Sequence, residues 1–205
     1  QQQGVRSVEI VPNIHFPYRG EKPEFSQRSG LLFIGGYNHP PNVDAVQWLC
    51  QEIMPIVWTQ LPDLHVTLLG SSPSEKVSAL VNDKVFVPGY VADVTPYFLS
   101  HRVFVAPLRY GAGMKGKIGQ SLEYGLPLVS TAIGVEGMNL VSGRDSIEAN
   151  TAETFASAIV QLYTNEQKWS YIAEQSTEAV NRYSPEAVTG LIGGIVDDVN
   201  GGKYL

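Results

Sequence analysis

The chain holds 205 residues, of which 43% are hydrophobic and 17% charged, a balance that lets one domain bury a core of its own. Its net charge of −6, pI near 5.2 and 14 scattered Lys and Arg residues exclude the clustered basic surface by which proteins displace counterions from nucleic acids. The single cysteine, Cys50, excludes an internal disulfide and suits a reducing compartment, and no apolar run approaches the roughly 18 residues of a membrane span.

Taken in chain order, residues 1–30 carry one apolar run, Val8-Glu9-Ile10-Val11, then Pro12, Pro17, Gly20 and Pro23 among polar residues, which predicts a strand followed by an irregular linker. The start at Gln1-Gln2-Gln3, without methionine, adds the expectation that this linker leads from a further domain upstream. From Leu31 onward, short β-branched apolar runs alternate with helical patterns, the signature of a parallel sheet wrapped by crossover helices. The expected fold class is therefore α/β: a Rossmann-like parallel sheet with flanking helices.

Strands are expected at Leu31–Gly35, Leu64–Leu69, Val85–Val87, Val103–Ala106 and Leu128–Thr131, with a weaker one at Ser146–Glu148. A helix capped by Asn42 carries Val43, Val46, Leu49, Cys50, Ile53 and Val57 at helical spacing, with Pro55 kinking it and Cys50 a buried structural thiol. Further helices are expected at 74–81, 93–99, 115–124, 151–164, 166–182 and 185–198, with Thr151 and Ser184 as caps. Residues 31–183 form one domain on this reading, and 184–205 a C-terminal helix and tail.

Open sheets of this kind bind ligands outside the carboxyl ends of their strands, and three glycine-bearing loops fall there: Gly35-Gly36, Gly89-Tyr90-Val91, and Gly111-Ala112-Gly113-Met114-Lys115-Gly116. The last is the most informative. Its glycines let backbone N–H groups approach an anion, the following helix start adds partial positive charge, and Lys115 or Lys117 can neutralise a docked diphosphate. On a helix beginning near Lys115, Lys117 and Gln120 share a face whereas Lys115 points about 200° away, so Lys117 is the better diphosphate partner. The competing reading of Lys117 and Gln120 is a solvated helix face. The spacing is neither Walker A nor the dinucleotide fingerprint. His15, His65 and His101 stand apart in the sequence without metal-ligand spacing, so no metal is expected, and catalytic residues stay unassigned.

The run Gly111-Ala112-Gly113-Met114-Lys115-Gly116-Lys117-Ile118-Gly119-Gln120, followed by Glu123-Tyr124-Gly125-Leu126-Pro127-Leu128-Val129-Ser130-Thr131 and Gly134-Val135-Glu136-Gly137, resembles the donor-binding segment of the group 1 family of GT-B glycosyltransferases. Phe33-Ile34-Gly35-Gly36-Tyr37-Asn38-His39-Pro40-Pro41-Asn42 resembles the first loop of the same half, so the likeness covers most of residues 30–183. It implies the C-terminal half of a GT-B fold, with no cofactor beyond its donor substrate, a UDP- or GDP-sugar. The sugar would pass, with retention, to a glycan, lipid or protein acceptor held by an N-terminal domain outside this chain, and the fragment alone would be inactive. It further implies a bacterial enzyme of polysaccharide or glycoconjugate synthesis, cytoplasmic and peripheral to the inner membrane.

Residue by residue, the resemblance places Gln120 where the family has a Glu gripping the ribose, and Ala112 where an earlier Glu faces the sugar, so sugar recognition would fall to backbone groups of Ala112–Met114 or to other loops. The base would be received by the main chain at Gly89-Tyr90-Val91, with Tyr90 either stacking on it or merely exposed on a turn. Asn38 and His39 stand where relatives place basic residues; His39 either donates to a phosphate or, with Pro40 and Pro41, shapes the turn. Glu123 is expected to be structural, and Glu136 to hydrogen-bond rather than catalyse, since a carboxylate there would repel phosphates. Two other classes compete: a non-catalytic nucleotide-responsive module, and half of a GT-B-type sugar epimerase, which should carry further carboxylates or histidines around the loops.

Overall fold

The computed structural model describes residues 9–201. Six strands form one all-parallel sheet: β1 (Leu31–Ile34), β2 (Val66–Leu69), β3 (Val85–Gly89), β4 (Val103–Ala106), β5 (Leu128–Ser130) and β6 (Ile147–Glu148), in the order β3-β2-β1-β4-β5-β6. The chain walks outward from β1 to β3, then returns to lay β4 against β1 in register Leu31 with Val103, and walks the other way. The strand order thus reverses between β1 and β4, and the loops leaving their carboxyl ends diverge over a crevice.

Both faces of the sheet's centre are covered, which is why β1 and β4 are continuous apolar runs, whereas the edge strand β3 alternates buried and more exposed positions. Leu31, Phe33, Val103 and Val105 face one core with Val46, Ile53, Phe155 and Ile159. Leu32, Phe104 and Ala106 face the other, with Ile118, Leu122 and Val180. Helices α1 (Pro40–Trp48), α2 (Met54–Trp58) and α7 (Ala152–Thr164) cover the first face; α5 (Gly116–Glu123) and α8 (Glu166–Val180) cover the second. Short helices α3 (Glu75–Ser78), α4 (Thr95–Ser100) and α6 (Ala132–Val135) connect strands, and α9 (Pro185–Asn200) closes the order.

Three local expectations change. Glu9, Ile10 and Val11 are irregular rather than strand, since no neighbouring strand pairs with them, and Val8 and Gln1–Gln3 lie outside the described residues, as do residues 202–205. Asn42 is not the cap of α1. His39 takes that place with Pro40 and Pro41 in the first turn, where a missing N–H costs nothing, and the Asn42 side chain is left for other work. Pro55 is accommodated by a π-helical segment, Leu49–Ile53, in which the Met54 N–H reaches back to the Leu49 carbonyl; the wider turn gives room where the proline ring would crowd the helix. Thr151 and Ser184 do cap α7 and α9, accepting from Thr154 N and Ala187 N.

Candidate functional site

The crevice at the β1/β4 reversal is bridged by three contacts between the β1 loop with α1 and the segment after β4. Arg109 donates through Nε and Nη2 to Asp44 at 2.9 and 2.5 Å, a forked pair. Gly111, at φ +113°, lies so close to Pro41 that a Cβ there would stand 3.4 Å from the ring. Deeper in, the Lys117 ammonium donates to Asn42 Oδ1 at 2.5 Å and sits 4.4 Å from the centre of the Phe33 ring.

Lys117 is in the first turn of α5, directed at the β1 loop. Gly35 is required beneath it: a Cβ there would sit 2.8 Å from the ammonium and 2.7 Å from Asn42 Cγ. Enclosure pushes the Lys117 pKa down to about 7, and the positive charge of Lys115 pushes it the same way. No carboxylate partners Lys117 among the described residues. Lys115, at the N-cap of α5 and contributing no capping side chain, turns the other way; its ammonium donates to Gly111 O and to Glu136 Oε2, both at 3.1 Å. The loop between them has left-handed backbone at Gly113, φ +81°, with nothing within 4 Å of where a side chain would start. Ala112 is exposed, and Met114 packs towards Gly137.

Along the outer face of α5 runs an open cleft of about 550 Å³ lined by Asn13, Ile14, His15, Gly116, Lys117, Gln120 and Glu123. Its far wall is the extended segment before the sheet, held by Glu123. That carboxylate accepts from His15 Nδ1 at 2.8 Å and from Phe16 N at 3.2 Å. The His15 ring packs against the helix at Gly119, where a Cβ would come 2.0 Å from Nε2. Sequence separation hid this pair: His15 and Glu123 are 108 positions apart, and the only trace was a glycine inside a helix. His15, held by Glu123 on one side and packed on Gly119 on the other, is a strut of the cleft's far wall.

Lys117 and Gln120 therefore share one cleft, with Gly35, Gly36 and Asn42 beside Lys117. Asn38 and His39 lie exposed on the turn above, His39 ordered by its N–H to Gly36 O at 3.3 Å. Gly89-Tyr90-Val91 leaves the same sheet edge but two strands away, at β3; Tyr90 is 76% exposed, and Val91 packs on the second core. None of these three residues lines the cleft. His101 is buried in the core, donor and acceptor between Thr67 Oγ1 and Tyr97 O, with a pKa lowered by burial to about 4. The Cys50 thiol is pushed up to about 12 by burial, in keeping with an inert structural role. Among the described residues, no group of three His, Cys, Asp or Glu side chains could hold a metal ion.

The profile of the family described as Glycosyl transferases group 1 matches residues 28–165. An uncharacterized 44.6 kDa protein in the cps region of Klebsiella pneumoniae is 23% identical over 174 residues, 80% of this chain but 44% of that protein. Among solved structures, a mutant of TarM from S. aureus in complex with fondaparinux, alpha-GlcNAc-glycerol and UDP superposes with a TM-score of 0.70 at 17% identity, covering 88% of this chain and 37% of TarM. The C-terminal domain of LpcC, a glycosyl transferase group 1 family protein from Francisella tularensis, superposes at 0.63 and 15% identity, covering 84% of this chain and 97% of that domain. The chain thus spans less than half the length of the Klebsiella protein and of TarM.

Proposed function

This chain belongs to the group 1 glycosyl transferases, with the α/β architecture of GT-B enzymes, and we propose that its crevice binds the diphosphate of a nucleotide-sugar donor. The observation that carries this is Lys117: an enclosed ammonium with no carboxylate partner among the described residues, at the strand-order reversal, beside an open glycine loop. A half-buried amine without a counter-ion is stabilised in its charged form by an anion. The UDP in the TarM complex supports UDP as the first nucleotide to try.

On this reading Lys117, the loop amides and the start of α5 take up charge on the departing diphosphate, and Gln120, on the same cleft, hydrogen-bonds the ribose. The sugar would leave with retention towards an acceptor held outside this chain; the chain's coverage of only 44% and 37% of its longer relatives supports a further domain for that task. Gly89-Tyr90-Val91 is the proposed base-receiving loop, at the same edge. No helix among the described residues is long and apolar enough to cross a membrane.

Thermal shift measurements with UDP, GDP and ADP, each with and without EDTA, test the reading. A ligand in excess over its dissociation constant raises the melting temperature by mass action. A rise with at least one nucleotide that EDTA leaves unchanged is expected; no rise with any of the three would refute donor binding here.

A further inference from the structure

Resting on the reading of Lys117 as the diphosphate partner, we propose that Asn42 is a positioning residue of the donor site, holding the lysine at the crevice without neutralising it. The side-chain amide is fixed by partners of opposite demand. Its Nδ2 donates at 2.8 Å to the carbonyl of Gly36, which can only accept, and its Oδ1 faces the Lys117 ammonium, which can only donate. Asn42 is 9% exposed and sits in the first turn of α1, so its reach is set by the helix that Pro40 and Pro41 start. One residue thereby ties the first glycine loop, α1 and α5 together at the point where an anion would dock.

The choice of an amide has a chemical consequence. An aspartate would neutralise Lys117 and compete with the phosphates, and an aliphatic side chain would leave a half-buried amine without that acceptor. The neutral acceptor keeps the lysine in place while leaving its charge uncompensated. Enclosure lowers the lysine's pKa to about 7 from the ordinary 10.5, so in the empty site it gives up its proton at a lower pH than a free lysine does. An arriving diphosphate favours the ammonium, so a proton enters with it.

The surrounding charges do not supply that compensation. Lys115 repels, Glu136 is paired with Lys115, Asp44 on α1 is forked to Arg109, and Glu123 is held by His15 at the far wall of the cleft. The signs for folding and for binding are opposite. Between about 7 and 10.5 the unfolded chain holds a proton on Lys117 that the folded chain lacks, so this group's contribution to stability rises with pH. Nucleotide affinity falls over the same rise, because the bound state needs the proton.

Calorimetric titration of the chain at pH 8 with UDP, with GDP as the second probe, and with uridine tests the proposal in two buffers of different ionisation enthalpy. The wild-type chain should take up a measurable fraction of a proton per UDP, and its affinity should fall from pH 7 to 8.5, above the phosphate's own ionisation near pH 6. Asn42→Leu should weaken UDP by about tenfold or more, the scale of a hydrogen bond to a charged group, with uridine unchanged within twofold. Asn42→Asp should hold the lysine charged beforehand, so that proton uptake falls towards zero and the pH dependence flattens.

UDP binding by Asn42→Leu at wild-type strength, or proton uptake undiminished in Asn42→Asp, would overturn the proposal. Lys117→Ala separates it from the reading beneath it. If that variant binds UDP normally, or the wild type binds neither nucleotide, the phosphate site itself is misplaced; if Lys117→Ala is weak while Asn42→Leu is not, only the positioning role falls. Should Asn42→Leu fail to fold, as judged by circular dichroism, Asn42→Asp and the wild-type proton count decide.

Discussion

Two lysines stand two positions apart at the start of α5 and occupy opposite electrostatic situations. Lys115 points towards the α6 side, its ammonium 3.1 Å from a carboxylate of Glu136 that is itself half in solvent. Lys117 points towards the β1 side, enclosed by Phe33, Gly35 and a neutral amide. The first charge is already answered, and the second is held without an answer. Equal formal charge in a sequence is therefore not equal attraction for a phosphate: what matters is which charge the fold leaves uncompensated at a place a ligand can reach. The same contrast separates the two ends of the sheet edge, since the β1/β4 crevice is tied across three times while Tyr90 at β3 stands in solvent.

The largest expected effect breaks the comparison at its stronger side. Lys117→Ala should weaken UDP by about 1.5–3 kcal/mol, the range for hydrogen bonds to charged groups, and leave uridine unaffected because the phosphates are the partner. Titration calorimetry with both ligands checks this. An equal loss for uridine would mean that the lysine supports the shape of the cleft rather than the phosphate.

A smaller effect sharpens the same side. Gln120 lines the cleft beside Lys117 but carries no charge, so Gln120→Ala should cost about 0.5–1.5 kcal/mol and cost it for UDP and uridine alike, since the ribose is common to both. A loss confined to UDP would move Gln120 from the ribose to the phosphates.

Much of this was legible in the chain. The strand cores were readable because strands buried on both faces are unbroken apolar runs, and Val103–Ala106 has the bounds its pattern predicts. That Lys115 and Lys117 diverge was expected from helical rotation, but Lys115 is the N-cap of α5 with extended backbone, so its direction is set by the loop and not by the helix. Asn42 was misread because an Asn before an apolar helical pattern is a good cap by propensity, and nothing local says that His39, followed by two prolines, will take that place and free the amide for a lysine 75 positions on. The His15–Glu123 strut was invisible for the same reason: both residues look ordinary until the fold brings an extended segment against Gly119. Local chemistry is written locally, whereas pairing across the sheet depends on topology.

The smallest expected effect lies on the weaker side of the comparison. The Lys115–Glu136 pair is partly solvated, so the ion pair itself is worth about 0.2–1 kcal/mol, and Lys115→Ala should change stability by no more than that. Its effect on UDP should also stay under about 1 kcal/mol, because a charge already shared with Glu136 adds little field at the crevice. Glu136→Gln turns the argument round. Releasing Lys115 from its carboxylate, and removing a negative charge near the phosphates, should tighten UDP slightly while uridine stays unchanged. Calorimetry on the two variants beside Lys117→Ala orders the three. If Lys115→Ala proves the most damaging, the uncompensated charge is not the one that matters, and the phosphate belongs on the α6 side of the loop.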